Sequence, residues 1–262
     1  MRIFLLAAAA SLILATAVAQ QTARVAAPSA SVRPGPDYSH VIAPPPLKNS
    51  VRDDADRKIF LATRKLKDSP RWALALQDVN LKMPQAADDT FSCSLGVPIT
   101  SEHTPRLVAL LTQTMRIAGG ATAKPKDFYD RPRPFSVYPN APICAPLSND
   151  KNPSYPSGHA AAGWGMALVL AEIAPDRAGD ILERGRQFGE SRVICGVHWM
   201  SDVAPGRELG AGALAAAHAD PAFTAEIAAA RAEVAAVRAS GATPAHACAK
   251  DAAAFAMPIP ER

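Results

Sequence analysis

A chain of 262 residues, 48% of them hydrophobic, is long enough to bury one sizeable core. With 20% charged residues it does not have the composition of a disordered chain. Its net charge of +4 comes from 28 basic against 24 acidic side chains, with no dominant basic block. That balance does not argue for nucleic-acid binding, so no nucleic-acid partner is expected, and it is weakly compatible with anionic substrates.

Residues 1–19 read as a secretory signal peptide. A basic start at Arg2 is followed by an apolar run from Ile3 to Val18, and Ala17-Val18-Ala19 offers the small residues of a cleavage site after Ala19. An uncleaved membrane anchor is the alternative, but the apolar run is short and its exit well formed. No later stretch has the about 18 uncharged apolar residues a membrane span needs; Ala160 to Ala171 is stopped by Glu172. The exported chain is expected to be soluble, with no membrane contact.

Residues 20–50 are rich in Pro, Ala and Ser, and Pro34, Pro36 and Pro44-Pro45-Pro46 forbid regular helix. They read as an extended arm, docked near the proline run. From Val51 the pattern turns helical. Helices are predicted over Asp53 to Leu66, Pro70 to Val79, Thr104 to Ala118 (closed by Gly119-Gly120), Gly158 to Ile173, Val203 to Ala219 and Phe223 to Ala239. Strand-like alternation is scarce. The expected architecture is all-α: a single-domain helical bundle over 51–240, with a C-terminal tail at 241–262.

Four cysteines in an exported chain suggest two disulfides, and three pairings are open. Order along the chain favours Cys93–Cys144 and Cys195–Cys248. There is no CxxC pair, and His40, His103, His218 and His246 are isolated from one another, so no metal site is expected.

Three segments carry candidate chemistry. Lys126 and Arg133 are about two helical turns apart and could share a helix face, with Pro132 and Pro134 ending the helix there. Lys124 with Arg131 has the same spacing. Tyr155-Pro156-Ser157-Gly158-His159 opens a helix: Ser157 is a good N-cap and Gly158 leaves the amides bare, which makes an anion site with His159 at its rim. In Ser191-Arg192 to His198-Trp199-Met200-Ser201-Asp202, the carboxylate of Asp202 is one helical turn from His198. It can accept the Nδ1 proton and leave Nε2 as a nucleophile. Taken singly these are also a solvated basic helix end, an ordinary capped helix and an inert surface His–Asp pair. Together they supply the cations, amides and supported histidine that a phosphoryl group needs, with charge spread over three oxygens.

Lys-x6-Arg-Pro, Pro-Ser-Gly-His and Ser-Arg-x5-His-x3-Asp, in that order, resemble the signature of the PAP2 phosphatase superfamily, which includes the vanadium haloperoxidases. The chain is most similar to the bacterial class A non-specific acid phosphatases. Pro44 to Pro46, Phe91-Ser92, Pro98-Ile99-Thr100, Arg131 to Phe135, Tyr155 to His159, Ser191 to Gly196, His198-Trp199 and Ser201 to Val203 carry that likeness across about Val41 to Ala230. Arg133-Pro134-Phe135 and Tyr129 favour the Lys126–Arg133 register, leaving Lys124 and Arg131 as supporting or surface charges.

The resemblance implies a PAP2/vanadium haloperoxidase-type bundle and a periplasmic, metal-independent acid phosphatase that needs no cofactor. It implies broad hydrolysis of small-molecule phosphate monoesters through a phosphohistidine, with phosphotransferase side activity, in a homo-oligomer. Catalytic roles fall to His198 as nucleophile, His159 as acid and base, and Asp202 as support for His198. Phosphate-binding roles fall to Lys126, Arg133, Ser157, Gly158 and Arg192. Three competing readings are a vanadate-dependent haloperoxidase, a membrane lipid phosphatase, which the lack of spans opposes, and an inactive anion-binding module, which the presence of both histidines opposes.

Overall fold

In the computed structural model, residues 36–144, 152–245 and 248–260 are described. The expected signal peptide at 1–19, the first half of the arm (20–35) and His246 lie outside the described residues. The described part, from residue 36 onward, belongs to one compact unit. Eleven α-helices and no strand occur among the described residues: α1 (Val51–Thr63), α2 (Pro70–Gln77), α3 (Gln85–Leu95), α4 (Pro105–Gly120), α5 (Ala123–Tyr129), α6 (Pro134–Val137), α7 (Gly158–Ile173), α8 (Ala178–Ile194), α9 (Met200–Ala217), α10 (Pro221–Ala239) and α11 (Ala249–Phe255). The all-α expectation holds.

The bundle is organised around α7, which packs against α4, α8 and α9. A surface helix needs one apolar stripe. α7 instead buries Ala160, Ala161, Gly163, Met166, Val169 and Leu170 around much of its circumference. Its neighbours come close because glycines face it. A Cβ on Gly206 of α9 would lie 2.3 Å from the Ser157 carbonyl oxygen, and one on Gly210 would lie 2.6 Å from that of Ala161. On the α8 side, a Cβ on Gly185 would lie 2.3 Å from the Ala167 methyl. No real Cβ sits that near backbone, so these glycines set the spacing of the bundle. The main apolar core joins α3, α4, the second half of α7, α10 and Leu214 of α9, with Phe91, Leu107, Leu111, Met166 and Leu170 fully enclosed.

α8 is packed differently. Its buried face carries Arg184, Gln187, Glu190, Ser191 and Arg192. Arg184 pairs with Asp78, Ser191 donates to Asp78, and Arg71 donates from Nη1 to Ser191 Oγ at 3.0 Å. The C-terminal carbonyls of α8 are met by Arg64, whose Nη2 donates to the Val193 oxygen at 2.9 Å. That guanidinium supplies the partner a helix end otherwise lacks. Gly196 turns the chain there with φ 75°, in the left-handed region that favours glycine.

The arm from Tyr38 to Ala43 is docked. Ile42 is buried, and Tyr129 Oη donates to the carbonyls of Ser39 (2.8 Å) and Ile42 (3.2 Å). At the other end α11 packs on α2, and Ala254 and Ile259 are buried, so the terminal segment contributes to the packed interior.

The disulfides correct the pairing expected from chain order. Cys93 bonds Cys248, and Cys144 bonds Cys195. Space, not sequence order, decides this. The Cys144 amide donates to the Cys195 carbonyl at 3.1 Å, which sets the loop after α6 beside the end of α8. Cys93 and Cys248 meet instead where the C-terminal segment passes the polar face of α3, their Cα atoms 5.6 Å apart. No described helix is long and apolar enough to cross a membrane.

Candidate active site

The N-terminus of α7, the loop after α5, the end of α8 and the start of α9 converge on one cavity of about 410 Å³. Lys126, Arg133, Gly158, His159, Arg192 and His198 all line it. Six of the eight predicted site residues therefore share one wall, and the other two, Ser157 and Asp202, stand directly behind it.

His198 is buried just ahead of α9. Its Nδ1 faces Asp202 Oδ2 at 3.1 Å, and Arg133 Nη1 lies 3.2 Å from its Nε2. A guanidinium can only donate and an ionised carboxylate only accept, so the ring carries its proton on Nδ1 and its Nε2 lone pair accepts from Arg133, which lines the cavity beside it. Asp202 holds this position by helix-terminus chemistry and not by the one-turn helical spacing expected. It is the third residue of α9, and its Oδ2 also accepts the Trp199 amide at 2.8 Å, as in half of a capping box. The His198 and Val197 amides are tied to the Arg192 carbonyl at 3.3 and 3.1 Å, so the end of α8 and the loop that carries His198 are one unit.

Lys126 and Arg133 do not share a helix face. α5 stops at Asp130, whose φ of 42° leaves the helical region, and Arg133 sits in extended backbone before α6. The two cations meet because one strip of backbone holds both. Lys126 Nζ donates to the Pro153 oxygen at 2.6 Å, and Arg133 Nε to the Asn152 oxygen at 2.6 Å. Arg192 is buried, and its Nε and Nη1 have no hydrogen-bond partner among the described residues. A buried guanidinium with idle donors calls for an anion with several acceptor oxygens. Ser157 is fully buried, and its Oγ accepts the Ala160 amide at 3.3 Å. It caps α7, and Gly158 is the residue that faces the cavity.

The electrostatics follow from crowding cations in a dry wall. Burial, then Arg133, pushes the Lys126 ammonium down to about 7. Arg133 and Arg192 are each lowered to about 10, chiefly by burial. Burial and the neighbouring cations hold both His198 and His159 well below the ordinary imidazole range. Burial pushes the Asp202 carboxyl up, while Arg131 and the Trp199 amide pull against it.

Arg131 and Asp56 complete the arrangement, and sequence reasoning undervalued one and missed the other. Arg131 is buried and forms two ion pairs, Nη1 to Asp202 Oδ1 at 2.6 Å and Nη2 to Asp56 Oδ2 at 2.8 Å. Ser201 joins them through its amide on Asp56 Oδ1 at 2.9 Å. The Arg-Pro-Arg-Pro doublet signalled both arginines. Nothing in α1 set Asp56 apart from Asp53 and Asp54. Lys124 is exposed and does not line the cavity.

Three buried cations, the start of α7 and a carboxylate-supported histidine line one cavity of an all-α bundle, an arrangement that can hold an anion with several oxygens. The PAP2 superfamily pattern matches residues 107–224, which contain all eight predicted site residues. The chain is 40% identical over 206 residues to an acid phosphatase of Zymomonas mobilis, covering 78% of this chain and 77% of that protein. It is 41% identical over 191 residues to a non-specific acid phosphatase of Providencia stuartii (71% and 76% covered), and 39% over 197 residues to one of Salmonella typhimurium (74% and 78% covered). The chain belongs to the PAP2 superfamily.

Proposed function

We propose that this chain is an exported acid phosphatase that hydrolyses phosphate monoesters through a phosphohistidine on His198. The observation that carries the reading is the orientation of that ring: Nδ1 is engaged by Asp202, and Nε2 lies beside Arg133 in the lining of a cavity that Arg192 and Lys126 share. The three cations and the Gly158 end of α7, fixed by Ser157, bind the three non-bridging oxygens. His198 Nε2 attacks phosphorus as the ester P–O bond breaks, and His159 gives its proton to the departing alkoxide. His159 then takes a proton from water, which attacks the phosphohistidine; the N–P bond breaks and inorganic phosphate leaves. An alcohol in place of water gives phosphotransfer. Asp202 holds the Nδ1 proton and balances the charge on the substituted ring.

The depressed imidazoles give a physical reason for acid-range activity. His198 stays neutral, as a nucleophile must, at pH values where a free histidine is protonated. His159 is protonated only toward acid pH or when the substrate's negative charge arrives. Export to the periplasm is supported by the two disulfides and by the relatives' bacterial origin. The test is hydrolysis of p-nitrophenyl phosphate by the purified chain across pH, with and without EDTA, followed by acid-quenched trapping of a phosphoenzyme. Acid-range turnover indifferent to EDTA, with a phosphoenzyme absent from His198→Ala, is expected. Turnover lost to EDTA, or substantial activity in His198→Ala, overturns the mechanism.

A further inference from the structure

The cavity extends past the phosphate cradle, and its far side has a different character. That side is formed by Leu81, Met115, Gly119, Gly120 and Ala162. No carboxylate lines the cavity, and none of these five residues carries a charged or polar side chain. His159, which the reading above has protonate the leaving oxygen, lines the same cavity. Ala162 is three residues along α7 from His159 and so stands on the same face. The His159 Nε2 lies 3.3 Å from the Val79 carbonyl, on the segment that leads to Leu81. The end of α4 closes the other flank: a Cβ on Gly119 would touch the Ala162 methyl and the Gly158 oxygen, both at 3.7 Å. Met115 is one turn back along α4.

Two details point to space for a ligand. Leu81 is half-buried yet belongs to none of the three apolar clusters of the fold. Gly120 lines the cavity and is exposed, and a Cβ on it would meet nothing within 4 Å. Resting on the phosphatase reading above, we infer that this wall is a leaving-group subsite for flat apolar alcohols and phenols, with Leu81 and Met115 as its faces and Gly120 setting its width. Monoesters of aromatic alcohols are then the favoured class, above those of small polyols.

The test compares benzyl phosphate with glycerol 3-phosphate on the full chain. Both leaving groups are alkanols of similar acidity, so the ratio of kcat/KM reads contact and not leaving-group chemistry. Burying one phenyl ring against this wall is expected to favour benzyl phosphate by about tenfold or more. Gly120→Leu adds a side chain to this wall and is expected to cut that ratio by about tenfold. As a measure independent of any variant, benzylphosphonate is expected to inhibit the unaltered chain about tenfold more tightly than methylphosphonate. Equal kcat/KM for the two esters, equal inhibition by the two phosphonates, or an unchanged ratio in Gly120→Leu overturns the subsite while leaving the phosphatase reading intact. Absence of turnover of both esters by the folded chain overturns the phosphatase reading itself.

Discussion

At the scale of single residues, the site is a sequence of charges each fixed by the next. Asp56 holds Arg131, Arg131 holds Asp202, and Asp202 holds the His198 ring. Asp202→Asn keeps the shape but puts an amide where the carboxylate accepted, so the Nδ1 proton is misplaced and the Arg131 pair is lost; kcat is expected to fall by about 10²–10⁴, with a measurable loss of thermal stability. Arg131→Met strands two carboxylates away from water, and urea unfolding is expected to show a loss of about 3–5 kcal/mol. Lys126 gives the pH dependence. Its folded value of about 7 means that the free site loses this positive charge above that pH, while Arg133 and Arg192, at about 10, keep theirs. Competitive inhibition by sulfate, whose own charge is constant there, should weaken by up to about tenfold per pH unit above neutrality. Lys126→Arg should remove that limb; an unaltered limb in this variant would assign it to another group.

At the scale of elements, the readable helices were those announced by a cap or an apolar stripe. α7 was legible to the residue because Ser157 marks its start and the run ends at Ile173. α8 was not, although it carries Arg192. It buries arginine, glutamine, glutamate, serine and glycine, so its sequence lacks the apolar period that reveals a helix. α3 is hidden in the same way by Ala86, Ala87, Thr90 and Ser92. The motif spacings located the site, but not its geometry: Lys126 and Arg133 meet through a loop, and the fit of His198 to Asp202 is a helix start. Long-range partners such as Asp56 have no local signature at all. Close packing gives a prediction at this scale. In Gly206→Ala the new methyl meets the Ser157 carbonyl, backbone that cannot give way, at the point where α7 opens into the cavity. A loss of about 1–3 kcal/mol in unfolding is expected, with a fall in kcat/KM from the shifted Gly158.

At the scale of the whole molecule, two covalent links close the bundle. Cys93–Cys248 ties residues 155 apart in the chain, and Cys144–Cys195 ties residues 51 apart. Loop-closure entropy assigns the longer link about 4–5 kcal/mol, so Cys93→Ser with Cys248→Ser should unfold at markedly lower denaturant. The shorter link joins the loop after α6 to the end of α8, next to the turn that carries His198, and its loss should raise KM more than it lowers stability. The two links are also nested: the outer one encloses the inner. A catalyst that oxidises thiols in their order of arrival would first join Cys93 to Cys144, and the bond must then be exchanged before Cys248 can find its partner. Oxidative maturation of the chain is therefore expected to need a reshuffling isomerase as well as an oxidant. Yield should drop in a host without one, and recover in a chain that keeps only the Cys144–Cys195 pair.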